Sequence, residues 1–246
     1  MTLDARGIAQ AVLPYRARRL ARSALYARRL GITRSWLASQ RHRAARRRLG
    51  NAYGGWTIPA GELDESSVCY CVGCGEDITF DLALIRTFGC NVEGVDPTPD
   101  SIEFVRRATA DEPRYRLHEL ALWREEGTMK FYAPKNAAHV SHSLVNLQGT
   151  GDYIEVPTCR LSSLMSRLDH ARLDLLKLDI EGAACDVIDT MLEDGVRCEI
   201  LCVEFDELLH PSPDRIRRVR RTLDSLDRSG YEMFWVEAAN FTFRRT

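Results

Sequence analysis

Apolar and polar positions follow two rhythms along the chain, one of strands and one of helices. Val68–Val72 is a short apolar run, the length of a buried strand. Beyond it Ile78, Leu82 and Ile85 recur at helical spacing as far as Phe88. Asp77 is expected to cap that helix and Gly89 to end it. Val92–Val95 predicts a second strand, and Thr98-Pro99-Asp100 opens a second helix, because proline suits the first helical position. Arg114–His118, Thr128–Tyr132 and Tyr153–Val156 predict further β segments, the last two around a polar stretch expected to form a flap. Leu173–Leu178 is a strongly apolar strand. Ala183–Glu193 places Ala184, Val187, Ile188 and Met191 on one helical face and stops at Gly195. Ile200–Val203 predicts another strand, and Ser212-Pro213 starts a helix with Ile216, Val219, Leu223 and Leu226 inward. Tyr231–Val236 and Phe241–Phe243 close the chain as strands.

Strands alternating with helices imply a parallel, doubly wound α/β sheet. The last two strands follow each other through a tight turn, which predicts one antiparallel strand at the C-terminal end. With 246 residues, 45% of them apolar, the chain can bury a sizeable core. No run of eighteen apolar residues predicts a membrane-spanning helix, and no apolar signal-peptide core separates the first arginines.

Charge divides the chain. Its formal net charge is −1, yet residues 1–50 hold thirteen arginines, no lysine and one acid, Asp4. That arm is near +12 and the remainder near −13. Apolar residues among the arginines make helix plausible on both sides of Gly31. The readings open for the arm are a helical appendage packed on the main domain, an interfacial membrane helix giving peripheral membrane contact, a nucleic-acid arm and a transit peptide. Lack of lysines and of interleaved aromatics speaks against nucleic acid. Asn51-Ala-Tyr-Gly-Gly reads as a linker, dividing an arm (1–50) from a main domain (51–246).

Eight cysteines invite a zinc or disulfide reading. Cys71 and Cys74 match C-x-x-C, but a zinc site needs a second chelating pair. Cys198 and Cys202, four apart in a strand, would stand about 13 Å from each other. Cys69, Cys71, Cys198 and Cys202 lie in apolar runs, which points to small hydrophobes in a reducing, cytoplasmic compartment.

Chemistry gathers where strands end. In such a sheet ligands bind outside the carboxyl ends of the strands. Gly73 and Gly75 fall just past the first strand, where bare backbone can turn sharply and approach a ligand. Asp96 ends the second strand at the distance at which an acid suits the two hydroxyls of a ribose. A dinucleotide loop would carry a third glycine where Ile78 stands. Glu76 and Asp77 would repel a pyrophosphate. S-adenosylmethionine has no phosphate and two cationic groups, so acids beside it are favourable.

The segments VGCGEDITFDLALI (72–85), GVDPTP (94–99) and above all DLLKLDIEGAACDVI (174–188) resemble the FkbM-type S-adenosylmethionine-dependent methyltransferases. GGWTIP (54–59) and HVSHS (139–143) extend the resemblance over residues 52–243, leaving the arm outside. It implies a class I, Rossmann-like methyltransferase fold, S-adenosylhomocysteine as the product, and O-methylation of a small molecule, a glycan or a lipid-linked sugar. The general class I loop begins with an acid where Cys71 stands and ends in glycine where Asp77 stands. Glu76, Asp77 or Asp179 is therefore expected to hold the methionine ammonium. Cofactor-binding candidates are Gly73, Gly75, Glu76, Asp77, Phe80, Asp96, Pro97, Ala121 and Asp179, with Trp123 beside Phe80. Candidate bases for removing an acceptor proton are Asp179, Glu181, Glu204, His139 and His142. Asp179 with Glu204 could alternatively hold a divalent metal ion, the less favoured reading. The other functional readings are a nucleic-acid methylase, which would need an aromatic tetrapeptide where DIEG stands, and a non-catalytic nucleotide-binding scaffold.

Overall fold

Apolar runs with little alternation require cover on both faces of a sheet, and here they receive it. The computed structural model describes residues 15–40, 45–132 and 150–246. Helices α1 (Tyr15–Leu30) and α2 (Arg34–Ser39) precede a hairpin of β1 (Arg46–Leu49) and β2 (Trp56–Pro59). Then come β3 (Val68–Val72), α3 (Thr79–Phe88), β4 (Asn91–Val95), α4 (Pro99–Ala108) and β5 (Tyr115–His118). A small three-stranded sheet follows from β6 (Ala121–Leu122), β7 (Gly127–Tyr132) and β8 (Tyr153–Cys159). The chain continues through α5 (Leu161–Arg167), β9 (Leu173–Leu178), α6 (Ala184–Glu193), β10 (Cys198–Glu204), α7 (Pro213–Arg228), β11 (Tyr231–Glu237) and β12 (Asn240–Arg245).

The main sheet has seven strands in the order β11-β12-β10-β9-β3-β4-β5. Neighbours from β10 to β5 pair in parallel, and β12 is antiparallel to both β10 and β11. The expected doubly wound sheet with one antiparallel C-terminal strand is therefore present. Alternation along the strands sorts the core into two layers. Tyr70, Val72, Leu176, Leu178, Leu201 and Val203 pack against α5, α6 and α7. Cys69, Cys71, Leu175, Ile200 and Cys202 pack against α3, α4 and the hairpin.

Register makes the functional edge. Val95, Val72, Leu178 and Val203 are paired in one row across four adjacent strands. The residues that follow them, Asp96, Gly73, Asp179 and Glu204, consequently emerge side by side at the carboxyl ends.

The segment expected to be a linker is instead the turn of the β1–β2 hairpin. Asn51 closes it, its Oδ1 accepting the backbone N–H groups of Tyr53 and Gly54, each at 2.7 Å. A boundary after residue 50 would cut this hairpin, and Leu49 is buried in the main core. The preceding arm packs on the domain too. Tyr26 and Ala27 of α1 are buried, and Leu30, Trp36 and Leu37 lie against the same core. Ser23 accepts the N–H of Ala238, a turn residue at φ 57°, at 2.7 Å. Gln40 behaves as an extra strand residue on the outer edge of β11. Its Oε1 accepts the Val236 N–H at 2.8 Å and its Nε2 donates to the Val236 carbonyl at 3.1 Å. An edge strand is thereby covered by a side-chain amide. Among the described residues no helix is long and apolar enough to cross a membrane.

Replacing Gln40 with alanine strands both backbone groups of Val236 in a buried setting. We expect a loss of about 1–3 kcal/mol in urea unfolding. An unchanged midpoint would show that the amide does not clasp the edge.

Candidate active site

A cleft of about 870 Å³ opens where the row of strand ends meets the arm. Its floor is the turn after β3. Gly73 has φ 83°, and a Cβ there would stand 1.8 Å from the backbone oxygen of Asp179. The two strand ends touch backbone to backbone, so only glycine fits. Gly75 has φ 51° and a Cβ would meet nothing within 4 Å, which leaves that position open to the cleft.

Opposite charges hold this turn from two sides. Lys177, 3% exposed, reaches up from β9 and donates to the Gly73 carbonyl at 2.7 Å. Burial works against its charge, but the carboxylates of Asp179 and Asp81 outweigh burial and hold its pKa above the ordinary lysine value. Asp179 Oδ2 lies 3.7 Å from the ammonium. From the other side, Asp96 Oδ2 accepts the N–H groups of Cys74 at 2.9 Å and Gly75 at 3.0 Å, while Oδ1 accepts that of Thr98 at 2.8 Å. Asp96, expected to grip a ribose, thus first fixes the glycine turn. A carboxylate offers about four lone-pair positions, so capacity for a ligand hydroxyl remains.

Asp77 is also a structural anchor. Its Oδ1 accepts from Thr79 N and Oγ1 at 3.0 and 2.7 Å, and its Oδ2 accepts from Asn51 Nδ2 at 2.7 Å. Burial raises its pKa, but these hydrogen bonds win and hold the carboxyl below the usual range. The helix itself begins at Thr79, and Asp77 caps the turn before it rather than the helical N-cap position, which is Ile78. Glu76 is exposed on the cleft wall.

Carboxylates crowd the far side of the floor. Asp179, Glu181 and Glu204 all line the cleft. Glu181 has φ 46°, a left-handed conformation that costs energy for a residue with a Cβ, and Gly182 follows at φ 84°. Asp206, just past β10, accepts the Gly182 N–H at 2.7 Å. Burial, then the Asp179 carboxylate hydrogen-bonded to it, push the Glu204 pKa well above the ordinary glutamate range. Burial, then Glu181 and Asp179, do the same to Asp206. These acids cannot all be ionised together, so the group retains protons at a pH where free carboxyls have lost them.

Other expected residues fall in place or elsewhere. Pro97 and Ala121 line the cleft with Thr98 and Leu122. Phe80 does not: it is 1% exposed and packs with Leu84 and Ile85 beneath α3. Its spacing to Leu84, one helical turn, belongs to a core face. Trp123 is likewise buried, against Phe131 and Val156. His139 and His142 lie outside the described residues. All eight cysteines are free and buried, and burial pushes the thiols of Cys71 and Cys74 up, so that pair is inert packing. Among the described residues no group of three or more His, Cys, Asp or Glu side chains could hold a metal ion. Sequence reasoning missed Lys177, Arg19 and Arg22, which line the cleft, and Asp206, which holds the Gly182 N–H behind it. Lys177 sits within a run otherwise apolar, and that break was the available signal.

The donor set suits one chemistry. An open glycine turn flanked by acids and an apolar wall at Ala121 and Leu122 fit a cationic nucleoside and oppose a phosphate at that turn. The methyltransferase FkbM of Methylobacillus flagellatus KT is similar in structure, at 12% identity over 74% of this chain and 44% of that one, with a TM-score of 0.47. The chain thus spans less than half the length of that protein. A methyltransferase from Geobacter sulfurreducens is similar at 14% identity over 99% of this chain and 97% of that one, with a TM-score of 0.42. Fibrillarin of Aeropyrum pernix, solved with natively bound S-adenosyl-L-methionine, is similar at 12% identity over 77% and 70%, with a TM-score of 0.40. No curated protein matches the chain in sequence. The methyltransferase FkbM domain matches residues 70–233, two thirds of the chain and all of the glycine turn, Asp96, Lys177 and the acidic cluster. The chain belongs to the FkbM methyltransferase family.

Proposed function

We propose that the chain transfers a methyl group from S-adenosylmethionine to a hydroxyl of a small molecule or glycan. The observation that carries this reading is the excess of carboxylate beside the open glycine turn, a surplus that a cationic ligand would neutralise. When bound, the donor supplies a methyl carbon already activated by its sulfonium. Everything else falls to the protein's own groups.

Asp96 offers its remaining acceptor capacity to the ribose, while Pro97, Ala121 and Leu122 form the apolar wall for the base. Glu76 and Asp179 face the methionine end, taking over from the acid absent at Cys71. Lys177 keeps the turn shut from below, so the reactants are aligned rather than strongly activated. Glu204 holds a proton in the resting site, hydrogen-bonded to Asp179. Positive charge arriving beside them favours its release, which leaves a carboxylate able to accept the hydroxyl proton of an acceptor. Glu204, the more deeply placed of the two, is our choice of base.

Asp179→Asn should weaken S-adenosylmethionine binding by at least about tenfold in calorimetry, and weaken S-adenosylhomocysteine, which lacks the sulfonium charge, by less. Equal losses for both ligands, or none, would remove Asp179 from the methyl-bearing end.

A second outcome concerns pH. The Glu204 pKa is raised in the folded chain, so the native state holds a proton that the unfolded chain has lost. Stability contributed by that proton is present at low pH and declines as pH rises above the ordinary glutamate value of 4.5 towards the folded value. Compared with Glu204→Gln, the cofactor-free protein should therefore lose thermal stability as pH rises above the ordinary glutamate value of 4.5. Parallel profiles for the two proteins would show that Glu204 carries no such proton.

A further inference from the structure

The end of the cleft remote from Asp96 is built by the arm. Order along the sheet runs from β4, which bears Asp96, through β3 and β9 to β10 and then β12. The nucleoside end thus lies over β4 and β3, and the opposite end lies beyond Glu204, where Ala238, Ala239 and Asn240 of the β11–β12 turn line the cleft. Helix α1 is held against that turn by the Ser23 bond to Ala238. It contributes two arginines to the lining, Arg19 and Arg22, one helical turn apart on one side of the helix.

The two differ in what they do. Arg19 is largely covered, with 12% of its side chain exposed. Its Nη1 donates to the Ala52 carbonyl at 2.8 Å and its Nε lies 3.3 Å from Glu237 Oε1. It ties the helix to the hairpin and to β11. Arg22 is exposed at the cleft, and among the described residues no carboxylate or carbonyl pairs with it. The third lining cation, Lys177, is bound beneath the floor. Arg22 is therefore the one cleft cation not engaged among the described residues. Leu209, 38% exposed, adds an apolar surface to the lining.

A guanidinium held in a concave site, on a helix fixed at several points, is a fork for two oxygens of an anion. Its helix is tied to the β11–β12 turn, beyond Glu204 in the strand order, which assigns it to the acceptor. We propose that Arg22 binds an anionic group, a phosphate or carboxylate, on the methyl acceptor, and so makes the arm helix the selector of an acidic substrate whose hydroxyl points towards Asp179 and Glu204. This rests on the methyltransferase reading above. The anion could belong to a small sugar phosphate or to a lipid headgroup, which share the recognising chemistry.

The test uses the full chain loaded with S-adenosylhomocysteine. Glucose 6-phosphate and glucose are titrated as probes at low ionic strength, and sedimentation is measured with vesicles of phosphatidylglycerol and of phosphatidylcholine. We expect the phosphate probe to bind at least tenfold tighter than glucose, or the anionic vesicles alone to retain the protein. Arg22→Gln should abolish whichever preference is seen, and Arg22→Lys should restore part of it. Preference for the sugar phosphate assigns a soluble acceptor, and preference for the anionic vesicles alone assigns a lipid-borne one. No preference with either pair, or a preference that survives in Arg22→Gln, overturns the proposal. Titration of S-adenosylhomocysteine into each variant reads the cofactor end by itself. Failure of the wild-type protein to bind it would sink the methyltransferase reading, whereas its binding without any anion preference would sink only the role of Arg22.

Discussion

One buried cation governs the strand tips. Lys177 lies beneath Gly73 in an interior that disfavours its charge, and the carboxylates of Asp179 and Asp81 keep it protonated. A buried ion is tolerated only when its partners are well placed. That requirement explains the surroundings. Asp81 is 1% exposed on α3 and receives a hydrogen bond from Tyr115 at 3.1 Å, so the helix and β5 both join the polar knot. The knot fixes the carbonyl side of the glycine turn, and Asp96 fixes its N–H side. Between them the turn has little freedom, which is the state a binding site needs before its ligand arrives.

Above that turn the sign of the charge reverses. Asp179, Glu181, Glu204 and Asp206 stand at or just past the ends of two adjacent parallel strands, and Lys177 is the cation that faces Asp179. Their proximity follows from register rather than from sequence spacing, because Leu178 pairs with Val203 and each is followed by an acid. The cost of this crowding appears as retained protons. A ligand with two positive groups and no phosphate relieves it, and a dinucleotide would worsen it. Fold, charge and family membership therefore point to one class of donor.

Much of this was legible beforehand. Leu173–Leu178 and Val68–Val72 are strands at the predicted bounds, since a buried parallel strand reads as an unbroken apolar run. The expectation that ligand sites lie just beyond such runs singles out Asp96, Asp179 and Glu204, and all three line the cleft. What escaped was recognition between distant segments. The β1 strand reads as three consecutive arginines before Leu49, which looks like solvated arm. In the fold Arg46 lies over the Trp235 ring at 5.3 Å and Arg47 over Phe88 at 5.9 Å, so their long stems and planar heads cover aromatic surface as strand residues would. Gln40 standing in for a neighbouring strand has no local pattern at all. The roles of Asp77 and Asp96 as anchors depend on partners, Asn51 and Cys74, that only the folded chain brings near. Phe80, a cofactor candidate in the sequence, is instead a core residue packed with Leu84 and Ile85.

Proton release on donor binding tests the account most directly. Calorimetry at neutral pH in two buffers of different ionisation enthalpy counts the protons exchanged. If the acidic row holds protons that a cation displaces, S-adenosylmethionine will release protons on binding and S-adenosylhomocysteine will release fewer. Identical heats in both buffers, or an uptake of protons, would mean that the donor's charge does not lie among these carboxylates.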